Sequence, residues 1–350
     1  MGHIRMKICI LIDGISNSGG TDRVASIISN LFTENGLEVK IYTLSEGEPY
    51  YFLDNRVGVV SPKYRSRFIN LIYFCNHIKK NSYDIIIVLS MGRLSAQAIP
   101  LLKFFNVKSR VICNDHVSIE SFSKVVQLVK WPAYLLSNKV VVLTESDRSY
   151  LSKRLNEKVC VVRNCSPYEH ETIENGDINK KNKIALAVGR FTYQKNFQRL
   201  LKIWGEVETL GWELVIVGSG EDQKEIEGII SGEKLNNVKI QTPNKNLKSW
   251  YEKSAMLLMT SRYEGLPMVL IEAKNFALPV ISFDCNTGPR EIIKDDGFII
   301  NYDDDDEFKA RLIQLMSDDK LRFEMSRNAL KNSTLFSEKE ILNEWLLAFK

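Results

Sequence analysis

Two hydrophobic periods take turns along this chain, and the alternation runs through twice. Short apolar runs rich in Val, Ile and Leu are separated by stretches with helical spacing. In the first half the strand-like runs are Lys7–Asp13, Glu38–Leu44, Asp84–Ser90, Arg110–Cys113, Lys139–Thr144 and Val159–Arg163. In the second half they are Ile184–Val188, Glu213–Val217, Val238–Gln241, Ala255–Met259, Val280–Phe283 and Phe298–Ile300. Strands alternating with helices at this spacing predict parallel, doubly wound sheets. From Ser166 to Lys183 the pattern breaks into Pro, Glu, Asn, Asp and Lys with few apolar residues, as an interdomain linker does. At 350 residues the chain also exceeds one ordinary core. The expectation is an α/β protein with doubly wound domains at 1–165 and 184–336, a linker at 166–183 and a closing helix at 337–350. Such sheets bind ligands outside the carboxyl ends of their strands, so the loops that leave those ends are where chemistry is expected.

Composition narrows the classes. Hydrophobic residues are 44% and charged residues 26% of the chain, the balance of a soluble globular protein. No apolar run reaches the ~18 residues a spanning helix needs and no signal peptide opens the chain, so a cytoplasmic protein is expected. Patterning starts at Met6, which makes Met1–Arg5 read as a start-site variant or an added remnant. The cysteines, Cys9, Cys75, Cys113, Cys160, Cys165 and Cys285, form no C-x-x-C pair and read as reduced, structural thiols. Four histidines lack close Cys or His partners, and the acidic run Asp303–Asp306 reads as charge at a helix start, so no metal is expected.

The most informative loop follows Ala255–Met259. Within Met259–Ala273, Pro267 stands where a first helical residue would, leaving Glu264 in the loop and Glu272 inside the helix. A helix starting here offers the amides of Leu266, Met268 and Val269, with the positive dipole end behind them, to an anion. Gly265 lets a ligand approach the backbone. Carboxylates beside an anion site point to a ligand carrying a diphosphate and several hydroxyls. In Gly189-Arg190-Phe191-Thr192-Tyr193-Gln194-Lys195-Asn196, two cations leave the end of another strand, where they can neutralise a diphosphate. Gly19-Gly20-Thr21-Asp22-Arg23 opens the first helix and leaves room for a phosphate or sugar. Val217-Gly218-Ser219-Gly220 begins like a dinucleotide fingerprint, but Gln223 replaces the third glycine, so it reads as a tight turn and not a NAD site.

Glu264 and Glu272, spaced E-x7-E within Glu-Gly-Leu-Pro-Met-Val-Leu-Ile-Glu-Ala, resemble the motif of family 4 retaining glycosyltransferases of the GT-B fold. The resemblance is strong over Ile184–Glu291 and moderate over Lys7–Asn164. It implies two Rossmann-like domains facing across a cleft, the last helix packing back on the first domain. It also implies that Glu264 meets the donor sugar, that Glu272 holds the ribose, and that Arg190 and Lys195 bind the pyrophosphate. Gly19 and Gly20 match the family's glycine-rich donor loop, although Asp22 stands where Glu is usual. His116, after Cys113-Asn114-Asp115, matches a histidine near the transferred sugar. Gln241, Thr242 and Pro243 fall where the nucleobase is held, and Thr287, Gly288 and Glu291 border the diphosphate. Arg190–Asn196 and Ile281–Glu291 are most similar to bacterial enzymes of O-antigen, capsule or glycoprotein assembly. The resemblance therefore implies a UDP-sugar donor, with GDP second, no cofactor, and a sugar acceptor on a polyprenyl diphosphate.

Charge adds a further expectation. Residues 1–175 carry 22 Lys and Arg against 16 Asp and Glu, and ten basic residues between Arg56 and Arg110 face only Asp84 in that span. With the aromatics of Lys63–Phe68 and Tyr73–Lys80, the first domain reads as a peripheral surface for an anionic membrane. No recognition motif accompanies the charge, so nucleic acid is not expected. Three rivals remain at this level. They are a GT-B sugar-nucleotide epimerase, a glycoside hydrolase with opposed carboxylates, and a non-catalytic sugar-nucleotide-binding protein.

Overall fold

A computed structural model describes residues 6–17, 19–90, 92–168, 181–242, 247–285 and 287–350. Residues 1–5, Ser18, Met91, 169–180 of the linker, 243–246 (with Pro243) and Asn286 lie outside the described residues. The chain divides into two compact units, Met1–Cys165 with Glu338–Lys350, and Ser166–Ser337.

Unit 1 is built on β1 (Lys7–Ile12), β2 (Glu38–Thr43), β3 (Gly58–Val60), β4 (Ile85–Ser90), β5 (Arg110–Asp115), β6 (Lys139–Val142) and β7 (Val159–Val161). Every pairing is parallel, in the order β3-β2-β1-β4-β5-β6-β7. Strand β4 is buried along its whole length because β1 and β5 flank it and helices cover it. The helices are α1 (Gly20–Glu34), α2 (Arg67–Asn81), α3 (Arg93–Phe104), α4 (Lys124–Leu136) and α5 (Glu145–Leu155). Asn35 caps α1 and Gly36, at φ 85°, turns the chain out of it. Strand β3 has no counterpart among the expected runs. It is a three-residue edge strand, only half-buried, and leaves no clear hydrophobic pattern.

Unit 2 repeats the plan with β8 (Ile184–Val188), β9 (Glu213–Val217), β10 (Val238–Gln241), β11 (Met256–Met259), β12 (Val280–Phe283) and β13 (Gly297–Ile300), in the order β10-β9-β8-β11-β12-β13. Its helices are α6 (Phe197–Gly205), α7 (Gln223–Gly232), α8 (Leu247–Lys253), α9 (Met268–Asn275), α10 (Pro289–Ile292), α11 (Asp305–Ser317) and α12 (Asp319–Ser333). Asp304 caps α11 by accepting the Glu307 amide at 2.9 Å, and Asp305 holds Arg199 at 2.7 Å, so this acidic run serves the helix start. The closing helix α13 (Glu338–Ala348) belongs to unit 1, where Trp345 meets Phe32 edge-on at 5.6 Å and Glu344 pairs with Arg163 at 2.6 Å.

In each sheet the order reverses once, between β1 and β4 and between β8 and β11. A doubly wound sheet opens its ligand crevice at such a switch point. Among the described residues no helix is long and apolar enough to cross a membrane.

Candidate active site

The loops after β8 and β11 leave the two strands that flank the switch point of unit 2, and they are fastened together. Thr260 donates to the carbonyls of Lys195 at 3.2 Å and Asn196 at 3.1 Å. The Arg262 amide donates to the Gln194 carbonyl at 2.8 Å, and the Gln194 side chain returns a bond to the Tyr263 carbonyl at 2.9 Å. Across this seam the Lys195 ammonium meets Glu264 Oε1 at 2.6 Å, with the side chains 18% and 8% exposed. Gly189 is small for a reason, since a Cβ there would lie 3.1 Å from the Lys195 stem. Asn196, at φ 55°, turns the chain into α6 in a left-handed conformation that Asn tolerates better than most residues.

A third loop closes on Glu264. Thr287 donates its hydroxyl to the Glu264 carbonyl, and a Cβ on Gly288 would lie 2.4 Å from the Gly265 carbonyl oxygen. Gly288 also has φ 91°, so both conformation and space demand glycine. Gly265, Leu266 and Pro267 follow directly, with Leu266 and Pro267 buried. Pro267 is the residue before α9 and not its first turn. Its ψ of 111° is extended, and the helix begins at Met268. Met268 and Val269 thus supply first-turn amides that have no acceptor within the helix.

Glu272 is brought to the same helix but not to its surface. It is fully buried, and its Oε2 accepts the Tyr251 hydroxyl at 2.8 Å, with Tyr251 stacked on Phe276 at 5.3 Å. A ribose contact therefore requires this carboxylate to turn from Tyr251 or the surrounding chain to part. The two carboxylates do not form the open, opposed pair a hydrolase uses. Arg190 is exposed and, among the described residues, has no hydrogen bond or ion pair, so it is a free cation beside the Lys195 loop.

The turn of Gly218 and Gly220 is explained by packing. A Cβ at Gly218 would lie 2.0 Å from the Gly189 carbonyl, and one at Gly220 would lie 2.4 Å from the Phe191 carbonyl. These glycines let the β9 loop support the Arg190 loop. The carbonyl of Gln241 accepts the Gly218 amide at 2.9 Å and is engaged in the fold, whereas Thr242 is exposed and Pro243 lies outside the described residues.

In unit 1, Gly19 caps α1 and a Cβ on Gly20 would meet nothing within 4 Å. Packing leaves that position open, and its openness is what a ligand at the helix start would use. Asp22 turns back to accept the Asn17 amide at 2.9 Å, and burial raises its pKa. His116 leaves β5, held by its amide to the Ser90 carbonyl at 3.1 Å. Burial lowers its pKa to about 4, with Asp115 opposing, so the imidazole is neutral at pH 7. Its Nε2 lies 2.9 Å from Asn114 Oδ1, an acceptor, which assigns the proton to Nε2 and leaves Nδ1 as an acceptor. Beside it the sequence reading missed a sealed network. Asp115 accepts the Lys130 ammonium at 2.7 Å and the Tyr134 hydroxyl, and Lys130 lies 5.0 Å from the Phe122 ring. Nothing in Lys130's sequence neighbourhood marks it as buried.

The basic stretch of unit 1 is less free than its composition implies. Arg56 makes two side-chain bonds to Asp54, Arg67 pairs with Asp13, and Phe74 is core. Both carboxylates come from outside the Arg56–Arg110 span, Asp54 just before it and Asp13 from the loop after β1, so a count within the span misses them. All six cysteines are free thiols, and burial pushes Cys75, Cys165 and Cys285 up to about 12. Among the described residues no cluster of three His, Cys, Asp or Glu could hold a metal ion.

Comparison with known proteins gives the site a context. The family described as glycosyl transferases group 1 matches residues 168–332. Over 345 residues the chain is 49% identical to the amylovoran biosynthesis glycosyltransferase AmsD of Erwinia amylovora, covering 97% of this chain and 98% of that one. It is 28% identical over 361 residues, 97% of each chain, to an α-1,4-N-acetyl-D-galactosaminyltransferase of Campylobacter jejuni named for a diNAcBac-PP-undecaprenol-linked glycan. In fold it is similar to Anabaena HepE, crystallised with UDP and glucose, at a TM-score of 0.83 and 16% identity, covering 98% of this chain and 99% of that one.

Proposed function

The chain belongs to the group 1 glycosyl transferases, with the GT-B fold, and on that premise we propose its reaction. It moves a hexose or N-acetylhexosamine from a UDP-sugar to a sugar acceptor carried on a polyprenyl diphosphate. The transfer retains the anomeric configuration, needs no metal, and serves bacterial surface-polysaccharide assembly at the cytoplasmic face of the membrane. The relatives named for amylovoran and for an undecaprenol-linked glycan support the polysaccharide and the lipid-borne acceptor.

The observation that carries the reading is the Lys195–Glu264 pair across the switch point. An ammonium has three donors. Glu264 takes one, and the remaining two serve phosphate oxygens while holding the carboxylate beside the sugar. Arg190 adds planar, bidentate contacts, and the first-turn amides of α9 add a dipole. As UDP departs it accumulates negative charge, and these groups stabilise it in the transition state. His116, neutral with Nδ1 as acceptor, hydrogen-bonds a sugar or acceptor hydroxyl. The departing phosphate itself accepts the proton of the attacking hydroxyl.

The test is transfer from UDP-sugars to a polyprenyl-diphosphate saccharide in EDTA, with NMR of the product. Retention is expected, and an inverted linkage would overturn the stereochemical part. Glu264→Ala should lower kcat about 100-fold, roughly 2.7 kcal/mol of barrier, with UDP affinity little changed. Glu272→Ala should chiefly weaken UDP binding. Negligible effects of both substitutions would remove the assignment of roles.

A further inference from the structure

We propose that α4 lies in the membrane interface and docks unit 1 on an anionic lipid bilayer. Along this helix Val125, Leu128, Val129, Pro132, Leu135 and Leu136 are all exposed, the first three at 71%, 71% and 58%. Their spacing of three and four residues places them on one stripe about 17 Å long. The opposite face is buried through Lys130, Ala133 and Tyr134, with Lys130 bound to Asp115. An ordinary surface helix turns its polar face outward. Here the outward face is apolar, and a contiguous exposed apolar stripe marks a docking surface.

Charge selects the occupant. Helix α4 contains no Asp or Glu. Lys124 is exposed at its start, Arg154 lies 5.2 Å over the Trp131 ring, and Lys158 donates to the Leu135 carbonyl at 2.9 Å. Cations thus flank an apolar stripe at its start, middle and end, as in helices that lie among anionic headgroups. A second copy docked about a twofold axis would confront the same patch with itself and set these cations against one another. The stripe is too short to span a bilayer, which takes about 20 residues. Helices α2 and α3 share one hydrophobic core with α4, which fixes α4 to the body of unit 1. The inference rests on the reading of a lipid-borne acceptor, since a helix that holds unit 1 on the bilayer keeps the enzyme where that acceptor resides.

The test uses the full chain and acceptor-free vesicles of phosphatidylglycerol and phosphatidylethanolamine, sedimented at low and high salt, with UDP titrated in parallel. Wild type should sediment and weaken as salt rises. The double substitution Leu128→Glu, Val129→Glu should lose at least ten-fold in partitioning with UDP affinity unchanged, while Leu128→Phe should bind as wild type. Unchanged partitioning of the double variant, or no sedimentation of wild type, would overturn the proposal. So would a wild-type dimer that the double substitution splits, because the occupant would then be a second copy. Vesicle binding that depends on α4 in a protein without UDP affinity would uphold α4 and overturn the nucleotide site.

Discussion

Two of the lysine–carboxylate pairs in unit 2 contrast in their access to water. Lys274 and Asp296 are each 1% exposed, whereas Lys195 and Glu264 are 18% and 8% exposed. The sealed pair joins α9 to the chain entering β13, and Asp296 also accepts the Lys294 amide at 2.9 Å. Burial pulls the Lys274 pKa down and Asp296 opposes it, so each charge depends on the other. Such a pair has no capacity for a ligand and serves the fold. The partly open pair leaves its lysine within reach of solvent, and in the proposed reaction it is this lysine that meets a phosphate. Exposure is what sets these two pairs apart.

The largest effect should come from breaking the sealed pair. Asp296→Ala strands the Lys274 ammonium and should cost on the order of 3–5 kcal/mol in urea unfolding, while Lys274→Met with Asp296→Leu should cost much less. A small loss in the single variant would erase the contrast. The open pair should behave oppositely. Lys195→Met should weaken UDP binding ten-fold or more, ~1.4 kcal/mol, with stability changed by less than about 1 kcal/mol. His116 extends the contrast to unit 1. Its folded pKa of about 4 lies below the ordinary 6.5, so its contribution to stability is complete above 6.5 and is lost as pH falls through 4. Replacing His116 with Asn should flatten that limb by on the order of 1–2 kcal/mol, and an unchanged profile would show that the imidazole is not buried as neutral. The smallest effect is expected at Arg190, where Ala should alter stability by less than about 0.5 kcal/mol because no group depends on it.

Much of this was legible in the sequence. Ile184–Val188 and Glu213–Val217 announce themselves by unbroken apolar runs, and Asn35-Gly36 ends α1 by its own conformational preference. The loop positions of Glu264 and Lys195 follow from the strands before them. Their contact does not, because 69 residues separate them and only the parallel order β8-β11 brings them together. The sealing of Glu272 depends on Tyr251, which comes from α8, and no spacing rule connects the two. Likewise the periodicity of α4 predicts a helix but not which apolar face the sheet covers, so its bare stripe emerges only from packing. The basic excess of the Arg56–Arg110 span is likewise offset in part by the fold, since Asp13 and Asp54 lie outside that span yet pair with Arg67 and Arg56.

Calorimetric titration of the purified chain with UDP and with GDP in EDTA, repeated with Arg190→Ala, tests the central claim most directly. The account predicts UDP binding without metal, preferred over GDP and lost or weakened at least ten-fold in the variant. Absence of binding by either nucleotide, or binding indifferent to Arg190, would contradict a pyrophosphate site at the ends of β8 and β11.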